Sequence, residues 1–307
     1  MKYAIIGDLH ARMNRPARRT DVSYQETLFG KLQWCLEFCY NNKIKYLLQP
    51  GDFFDSFNIN PTLMHDMISM LREFKELSNV TIVTIHGQHD LRYHQKNYNA
   101  TPLGIMKAAE AVIVLSHGEQ YWTASDHFIH GCNWEEEPLT PSRKGTSTLL
   151  IHKMLIDKPL WPGQDATYGD RFLFNNPYDL IVSGDNHKKF MCELNNRFLI
   201  NPGSVMRSSI DQINHTPTLF VYYSVKKSIE EHLIPCKPIE EVMDLSGAGA
   251  EKEHDRELRE FVDKLRDDVE IAGLDYLTNL SEYIKAQGIP SNVTNLIDEA
   301  IRKVQGE

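Results

Sequence analysis

Five stretches of this chain run apolar for about the length of a strand and then stop abruptly in aspartate or histidine. YAIIGDLH (3–10) ends in Asp8 and His10, KIKYLLQPGDFFD (43–55) in Asp52 and Asp55, and VTIVTIHGQHD (80–90) in Gln88, His89 and Asp90. STLLIHK (147–153) delivers His152, and DLIVSGDNH (179–187) delivers Asp185 and His187. Short apolar runs bounded by Gly and Pro read as buried strands. Strands that carry their polar residues at their C-terminal ends belong to an open α/β sheet with its site along that edge.

The segments between them fit the same plan. Residues 24–40 place Leu28, Leu32, Cys35, Leu36 and Cys39 on one helical face, which returns the chain for the next strand. Pro61 sits where a helix can start. Thr62–Leu77 then carries Leu63, Met67, Met70, Leu71 and Phe74 near helical spacing, with Met64 and Ile68 widening the stripe. That stripe reads first as core and second as a partner surface. Beyond it, apolar runs crowd together: AVIVLSH, HFIHGCNW, STLLIH, DLIVSGD, RFLINPGS and TLFVYYSV. Such strand density, with helices mainly in the first half, predicts an α/β (α+β) fold of two packed mixed β-sheets flanked by helices.

Composition narrows the class. At 307 residues the chain can bury a full core as one large domain with a small addition. Its 41% hydrophobic and 24% charged content is ordinary for a soluble globular protein. No apolar run approaches the roughly 20 residues of a membrane span, and the first residues open on a strand, not on a signal peptide. Five scattered cysteines suit a reducing compartment; Cys35 and Cys39, one helical turn apart, read as small core side chains and not as a metal or redox pair. A cytoplasmic protein with no membrane partner is expected, in a host cell if the source is a phage.

Charge is unevenly distributed. From Cys236 onward the chain carries 9 Lys and Arg against 17 Asp and Glu, a net of −8 out of the formal −9, which leaves the first 235 residues near neutral at −1. Charge therefore does not exclude nucleic acid as a partner of the body. Its basic residues cluster: Arg12, Arg15, Arg18 and Arg19 follow the first motif and should overhang the mouth of the site, and Arg143 and Lys144 precede the strand of His152. Both groups are candidates for contact with a phosphate backbone. Three regions result: 1–235 as the main domain, 236–250 as a linker marked by Pro238 and LSGAGA (245–250), and 251–307 as an acidic helical appendage. Helices are expected over 251–271, over 274–287 and from 290 to about 304; they are too polar to bury much alone, so the appendage should cap the body or bind a partner.

Asp8, His10, Asp52, Gln88, His152, Asp185 and His187 are the residue types that phosphoester hydrolysis needs. The reaction must neutralise a non-bridging oxygen, produce hydroxide near neutral pH and help an alkoxide leave; two divalent cations roughly 3.5–4 Å apart do the first two. Such a pair wants a bridging carboxylate within a mixed shell of Asp, His and amide oxygen, which suits Mn²⁺ first, with Mg²⁺ or Fe as alternatives. His89, beside Gln88, is left over as a histidine without a ligand role.

The order GDLH, GDFFD, GQHD, IH, GDNH resembles the calcineurin-like metallophosphoesterases, whose pattern is DxH, GDxxD, GNHD, H, GHxH, over residues 1 to about 205. Within that superfamily, GDFFDSFNINPT (51–62), HGQHD (86–90), LLIHK and NPGS (201–204) are similar to the SbcD/Mre-eleven nuclease subunits, which process DNA ends beside a coiled-coil ATPase. The resemblance implies a four-layer sandwich and a DNA exonuclease or endonuclease subunit of recombination or repair. It implies one metal on Asp8, His10, Asp52 and His187, with Asp52 bridging to a second that Gln88, His152 and Asp185 complete. His89 would then stand by the scissile phosphate as the proton donor or orienting group for the leaving 3′ oxygen. The Arg12–Arg19 loop would touch DNA, the chain would form a homodimer through the Thr62–Leu77 helix, and an SbcC-type ATPase would be a further partner. A phosphodiesterase or phosphatase acting on a small molecule or RNA, and a metal-poor scaffold of the same fold, are the alternatives. Two positions depart from the pattern: Gln88 stands where the family has Asn, and Asp185 where it has the first His of GHxH. Both fall on the second metal, whose site should be harder and more anionic.

Overall fold

Side chains along the central strands alternate between two buried faces, and that alternation builds the layers. The computed structural model describes residues 1–92, 97–141, 145–158 and 166–246. In chain order, β1 (Lys2–Ile5) is followed by α1 (Tyr24–Asn41), β2 (Tyr46–Gln49), α2 (Pro61–Ser78), β3 (Thr81–Thr84), α3 (Pro102–Ala108) and β4 (Ile113–Val114). Then come β5 (Gln120–Ala124), β6 (His127–Cys132), β7 (Thr146–His152), β8 (Leu155–Ile156), β9 (Thr167–Tyr168) and α4 (Gly169–Asn175). The order closes with β10 (Leu180–Gly184), β11 (Phe190–Leu194), β12 (Arg197–Asn201), β13 (Thr218–Tyr223), β14 (Ser228–Leu233) and the short α5 (Ile239–Val242).

Two six-stranded sheets form, in the orders β14-β13-β1-β2-β3-β4 and β11-β12-β10-β7-β6-β5. In the first, β1 through β4 run parallel and β13 runs antiparallel between β1 and β14. In the second, β12, β10, β7 and β6 run parallel between the antiparallel edges β11 and β5. Both sheets are mixed, as the strand density predicted. Tyr3, Ile5, Leu48 and Val83 of the first sheet face Ile129, Leu150, Val182 and Ile200 of the second and fill the space between them. Their neighbours Ala4, Leu47 and Ile82 point the other way, onto Leu28 and Leu32 of α1 and Met67 and Leu71 of α2. Leu149, Ile151 and Ile181 turn outward in the second sheet, under Phe172 and Leu173 of α4. The period of 2 along each strand thus yields helix, sheet, sheet and helix layers. Each fully buried Leu or Ile contributes about 1.5–3 kcal/mol to that arrangement.

The two long helices begin where the sequence punctuates them. Ser23 caps α1, its hydroxyl accepting from the Glu26 amide at 3.2 Å. Asn60 caps α2 by accepting from the Thr62 amide at 2.8 Å, with Pro61 in the first turn. Cys35 and Cys39 are buried in the helix-side core, and no cysteine among the described residues is bonded to another. The chain divides into two units, Met1–Leu245 and Ser246–Glu307. The expected helices of 251–307, residues 247–250 of the linker, and Arg143 and Lys144 lie outside the described residues. Among the described residues no helix is long and apolar enough to cross a membrane.

Candidate metal centre

Hydrogen bonding in the sheets ends before four of the five motifs do, so those strands hand their polar residues to turns at the same edge, while His152 is the last paired residue of β7. Asp8, Asp52 and His152 are buried there, and His10 is nearly so. All eight residues singled out around the two cations come together. His187 Nε2 lies 3.6 Å from Asp8 Oδ2 and 3.0 Å from His10 Nε2. His10 Nε2 lies 3.8 Å from Asp52 Oδ2, which in turn is 3.3 Å from His152 Nε2 and 4.0 Å from His89 Nε2. The Asp185 amide donates to Asp8 Oδ2 at 3.0 Å, and Gln88 Nε2 donates to Asp185 Oδ1 at 2.9 Å.

Three overlapping groups have the spacing of cation ligands: Asp8, His10 and His187; His10, Asp52 and His89; and Asp8, Asp52 and His152. The residue types fit a divalent pair. Asp52 Oδ2, His152 Nε2, Gln88 Oε1 and His10 Nδ1 are all buried without a hydrogen-bond partner. Buried polar atoms are normally satisfied, and four unsatisfied polar atoms in one cluster are what an electropositive occupant would complete. His152 is oriented for that task, because its Nδ1 donates to the Pro50 carbonyl at 2.8 Å, which leaves Nε2 as the nitrogen that would take a cation once its proton is displaced. Asp8 sits with Asp52 and His152 as well as with His10 and His187, so it faces both halves of the cluster.

Three of the ten non-glycine residues with left-handed backbone among the described residues fall at these positions. His10 (φ 44°), Asp52 (φ 47°) and Asp185 (φ 79°) are left-handed without being glycine. Each such residue costs of order 1–3 kcal/mol and persists only where its surroundings over-determine it. Here the Asp52 carbonyl accepts from the Leu9 and His10 amides at 3.2 and 3.1 Å, tying the first two turns together. Gly51 (φ 98°) could not carry a side chain, since a Cβ there would stand 2.6 Å from His152 Nδ1 and 2.9 Å from the Gly87 amide.

The charges are strongly coupled. Burial opposes ionisation of Asp52, but the positive charge of His152, 3.3 Å away, outweighs it and holds the carboxyl well below the usual range. Burial likewise opposes a charge on His152, and the Asp52 carboxylate overrides it, raising the imidazole to about 10. His10 goes the other way: burial lowers it to about 3 despite Asp52, so it is neutral. Burial lifts the Asp8 carboxyl well above its ordinary value.

Two residues matter here to which the sequence alone assigned no role. Asp90 is buried, and its carboxylate accepts from the amides of Phe53, Phe54 and Gly87 at 3.3, 3.0 and 3.0 Å. It clamps the GDFF turn to the GQHD loop, and burial pushes its pKa up to about 7. Asp55 uses both its ends: its carbonyl accepts from His89 Nδ1 at 2.9 Å, and its carboxylate holds Arg12 at 2.8 Å. A final acid in GDxxD and HD was the available signal for both. His89 itself sits on the rim, its side chain 44% exposed, with its amide donating to Asp52 Oδ1 at 2.9 Å.

The four arginines of the following loop separate. Arg12 is held over the site by Asp55. Arg15 is exposed and donates to the Asp21 carbonyl at 3.0 Å, and Arg18 is half-buried. Arg19 is buried, in a bidentate pair with Asp21 at 2.6 and 2.5 Å, and it also donates to the Arg207 carbonyl at 3.1 Å. That guanidinium is engaged inside the protein and is not available to a phosphate backbone outside it.

No protein of curated function matches the chain in sequence. Among solved structures, a dimetal phosphatase from Danio rerio is similar at 11% identity and a TM-score of 0.46, over 77% of this chain and 99% of that one. The calcineurin-like phosphoesterase family matches residues 1–189, from the strand before Asp8 to just past His187, and with more than half its length covered the chain belongs to that family.

Proposed function

We propose that the protein is a two-metal phosphodiester hydrolase acting on DNA, a nuclease subunit of the SbcD/Mre-eleven type. Two divalent cations, Mn²⁺ first, would polarise a non-bridging phosphoryl oxygen and bring the pKa of a water close to neutrality. Asp8, His10, Asp52 and His187 would hold one, and Asp52, Gln88, His152 and Asp185 the other. Gln88 reaches one methylene further than asparagine, and Asp185 adds an anionic oxygen, so the second position favours hard cations.

The observation that carries the DNA reading is the joint role of Asp55. Its carbonyl orients His89 so that Nε2 faces the buried cluster, and its carboxylate fixes Arg12 on the same rim. A proton donor and a phosphate-binding cation held by one residue suit a phosphodiester whose chain continues past the scissile bond. His89 protonates the leaving oxygen, while Arg12, Arg15 and Arg18 meet flanking phosphates. The protein acts as a homodimer through the face between α2 and α3, with an SbcC-type ATPase as a further partner.

Incubation of the Mn²⁺-loaded chain with an end-labelled duplex, beside a chromogenic phosphodiester and a mononucleotide ester, tests this. Shortening or nicking of the duplex is expected. Turnover of the mononucleotide ester with intact DNA would instead assign the site to a small substrate. Fewer than one metal per chain after loading would leave only the scaffold reading.

A further inference from the structure

Helix α1 carries a cation on its buried face. Lys31 lies among Leu28, Leu32 and Cys35, is 6% exposed, and makes one hydrogen bond, to the Val205 carbonyl at 2.8 Å. Arg207 is equally buried; one of its terminal nitrogens donates to the Lys237 carbonyl, and its Nε is enclosed without a partner. Among the described residues neither cation has a carboxylate in ion-pair contact, whereas Arg19 beside them is matched by Asp21. The groups that act on the Lys31 charge are the thiols of Cys236 and Cys35 and the cations Arg19 and Arg207, and burial lowers its pKa to about 8. Buried charges without partners are rare, because desolvation is then uncompensated.

Lys31 and Arg207 line a cavity of about 430 Å³, together with Trp34, Cys236 and Lys237. Glu26 is the one acid among its lining residues, and no residue of the metal centre lines it. We propose that this cavity binds a phosphate dianion, either free or as the 5′-phosphate of a mononucleotide. Two unmatched positive charges balance a phosphate monoester, which carries about −1.5 to −2 at neutral pH. The terminal nitrogens of Arg207 and the Lys31 ammonium, which spends one donor on the Val205 carbonyl, supply the directed bonds such an anion takes. The volume exceeds that of phosphate alone and falls in the range of about 300–1,000 Å³ typical of small-molecule sites, while Trp34 offers a π-face to a base. Val205 links this cavity to the metal centre, since its carbonyl accepts from Lys31 and its amide donates to the Asp8 carbonyl at 2.9 Å.

Titration calorimetry on the full chain, both chelator-stripped and Mn²⁺-loaded, tests the proposal with inorganic phosphate, deoxyadenosine monophosphate and deoxyadenosine. One equivalent of phosphate is expected to bind the stripped protein, so that the metal centre cannot be its site. Lys31→Met should weaken binding at least about tenfold while unfolding at or above the wild-type temperature, because it removes an unpaired buried charge. Arg207→Gln, checked by circular dichroism, is the second variant should the first fail to fold. Deoxyadenosine monophosphate binding about tenfold tighter than phosphate, with the gain lost in Trp34→Leu, assigns a nucleotide; equal affinity assigns free phosphate. Absence of binding to the stripped chain, unchanged binding in both folded variants, or deoxyadenosine binding as well as its monophosphate would overturn it.

Discussion

His152 holds its Nε2 3.3 Å from Asp52 Oδ2 while its Nδ1 faces the Pro50 carbonyl at 2.8 Å. Without a cation this is a buried ion pair: the Asp52 carboxylate raises His152 to about 10, so the imidazole is protonated on both nitrogens at neutral pH. A cation needs the neutral ring and must displace that proton. His10, lowered by burial to about 3, has none to lose. The neutral fraction of His152 grows tenfold per pH unit up to about 10, so metal affinity should rise by about one log unit per pH unit between roughly pH 6.5 and 8.5. Calorimetry in buffers of different ionisation enthalpy should register release of at least one proton; a flat affinity with no buffer dependence contradicts the pairing.

His89 is on the rim, unlike His10 and His152, and it differs from His187, also part-exposed, in being bound through its amide to Asp52. His89→Asn should therefore retain both metals, by elemental analysis, and lose about 10²–10⁴-fold in turnover, the usual worth of a positioned acid. Wild-type rates would remove the proton-donor role. Loss of metal would instead make His89 a ligand, as its spacing to His10 and Asp52 permits.

Asp52 combines two demands that substitutions can separate. Its left-handed backbone, φ 47°, is one that Asn tolerates and Ala tolerates poorly. Asp52→Asn should lose the stability of the His152 ion pair in the metal-free chain and bind neither metal tightly, while Asp52→Ala loses both metals and adds the cost of the left-handed backbone. Full occupancy of one metal in Asp52→Asn would show that the two sites do not share this carboxylate.

Much of this was legible in the sequence because its signals were strong and local. Helix α1 starts at the expected Tyr24, since Ser23 can cap and the Leu28, Leu32, Cys35 stripe has one period. The clustering of Asp8, His10, Asp52, His152 and His187 was legible because apolar runs ending in Gly-Asp or His are conspicuous. Edge strand β14, SIEEHL, alternates too weakly to be read, and α3 and α4 are only 7 residues each, too short for a periodic stripe. AVIVLSH supplies only the two residues Ile113–Val114 to a sheet. Least legible were partners with no side-chain signature: the Pro50 carbonyl that sets the His152 tautomer and the Asp52 carbonyl that joins the first two turns. Likewise the run of Arg12, Arg15, Arg18 and Arg19 looks uniform, and only the fold turns Arg19 inward to Asp21.

The face between α2 and α3 leaves Met64, Ile68 and Ile105 around a cavity of about 810 Å³, with Ile105 51% exposed. Apolar area of this kind is the material of a self-interface. Ile68→Glu with Ile105→Glu should convert a dimer to a monomer in sedimentation equilibrium while leaving turnover of a small phosphodiester intact. A wild-type chain that is monomeric at about 50 μM removes this interface, since an obligate homodimer would be assembled there.

Arg19 and Arg15 sit in one loop and should fail in different ways. Arg19 and Asp21 have side chains only 2% and 6% exposed, so removing the guanidinium strands a buried carboxylate whose ionisation burial opposes and Arg19 sustains. Arg19→Ala should cost about 3–5 kcal/mol in urea unfolding, as breaking buried pairs does. Because Asp21 is held below its ordinary pKa, the pair's contribution is present above the unfolded carboxylate pKa of about 4 and is lost as pH falls through the lower folded value. The gap between Arg19→Ala and wild type should therefore narrow in acid. Arg15→Glu, at an exposed position, should leave stability within about 0.5 kcal/mol. It should instead weaken DNA binding and reduce the slope of log affinity against log salt by about 0.9 for each phosphate that is no longer neutralised. An Arg15→Glu protein with the wild-type salt slope would move the DNA path off this loop. An Arg19→Ala protein with wild-type stability would mean that Asp21 finds another partner.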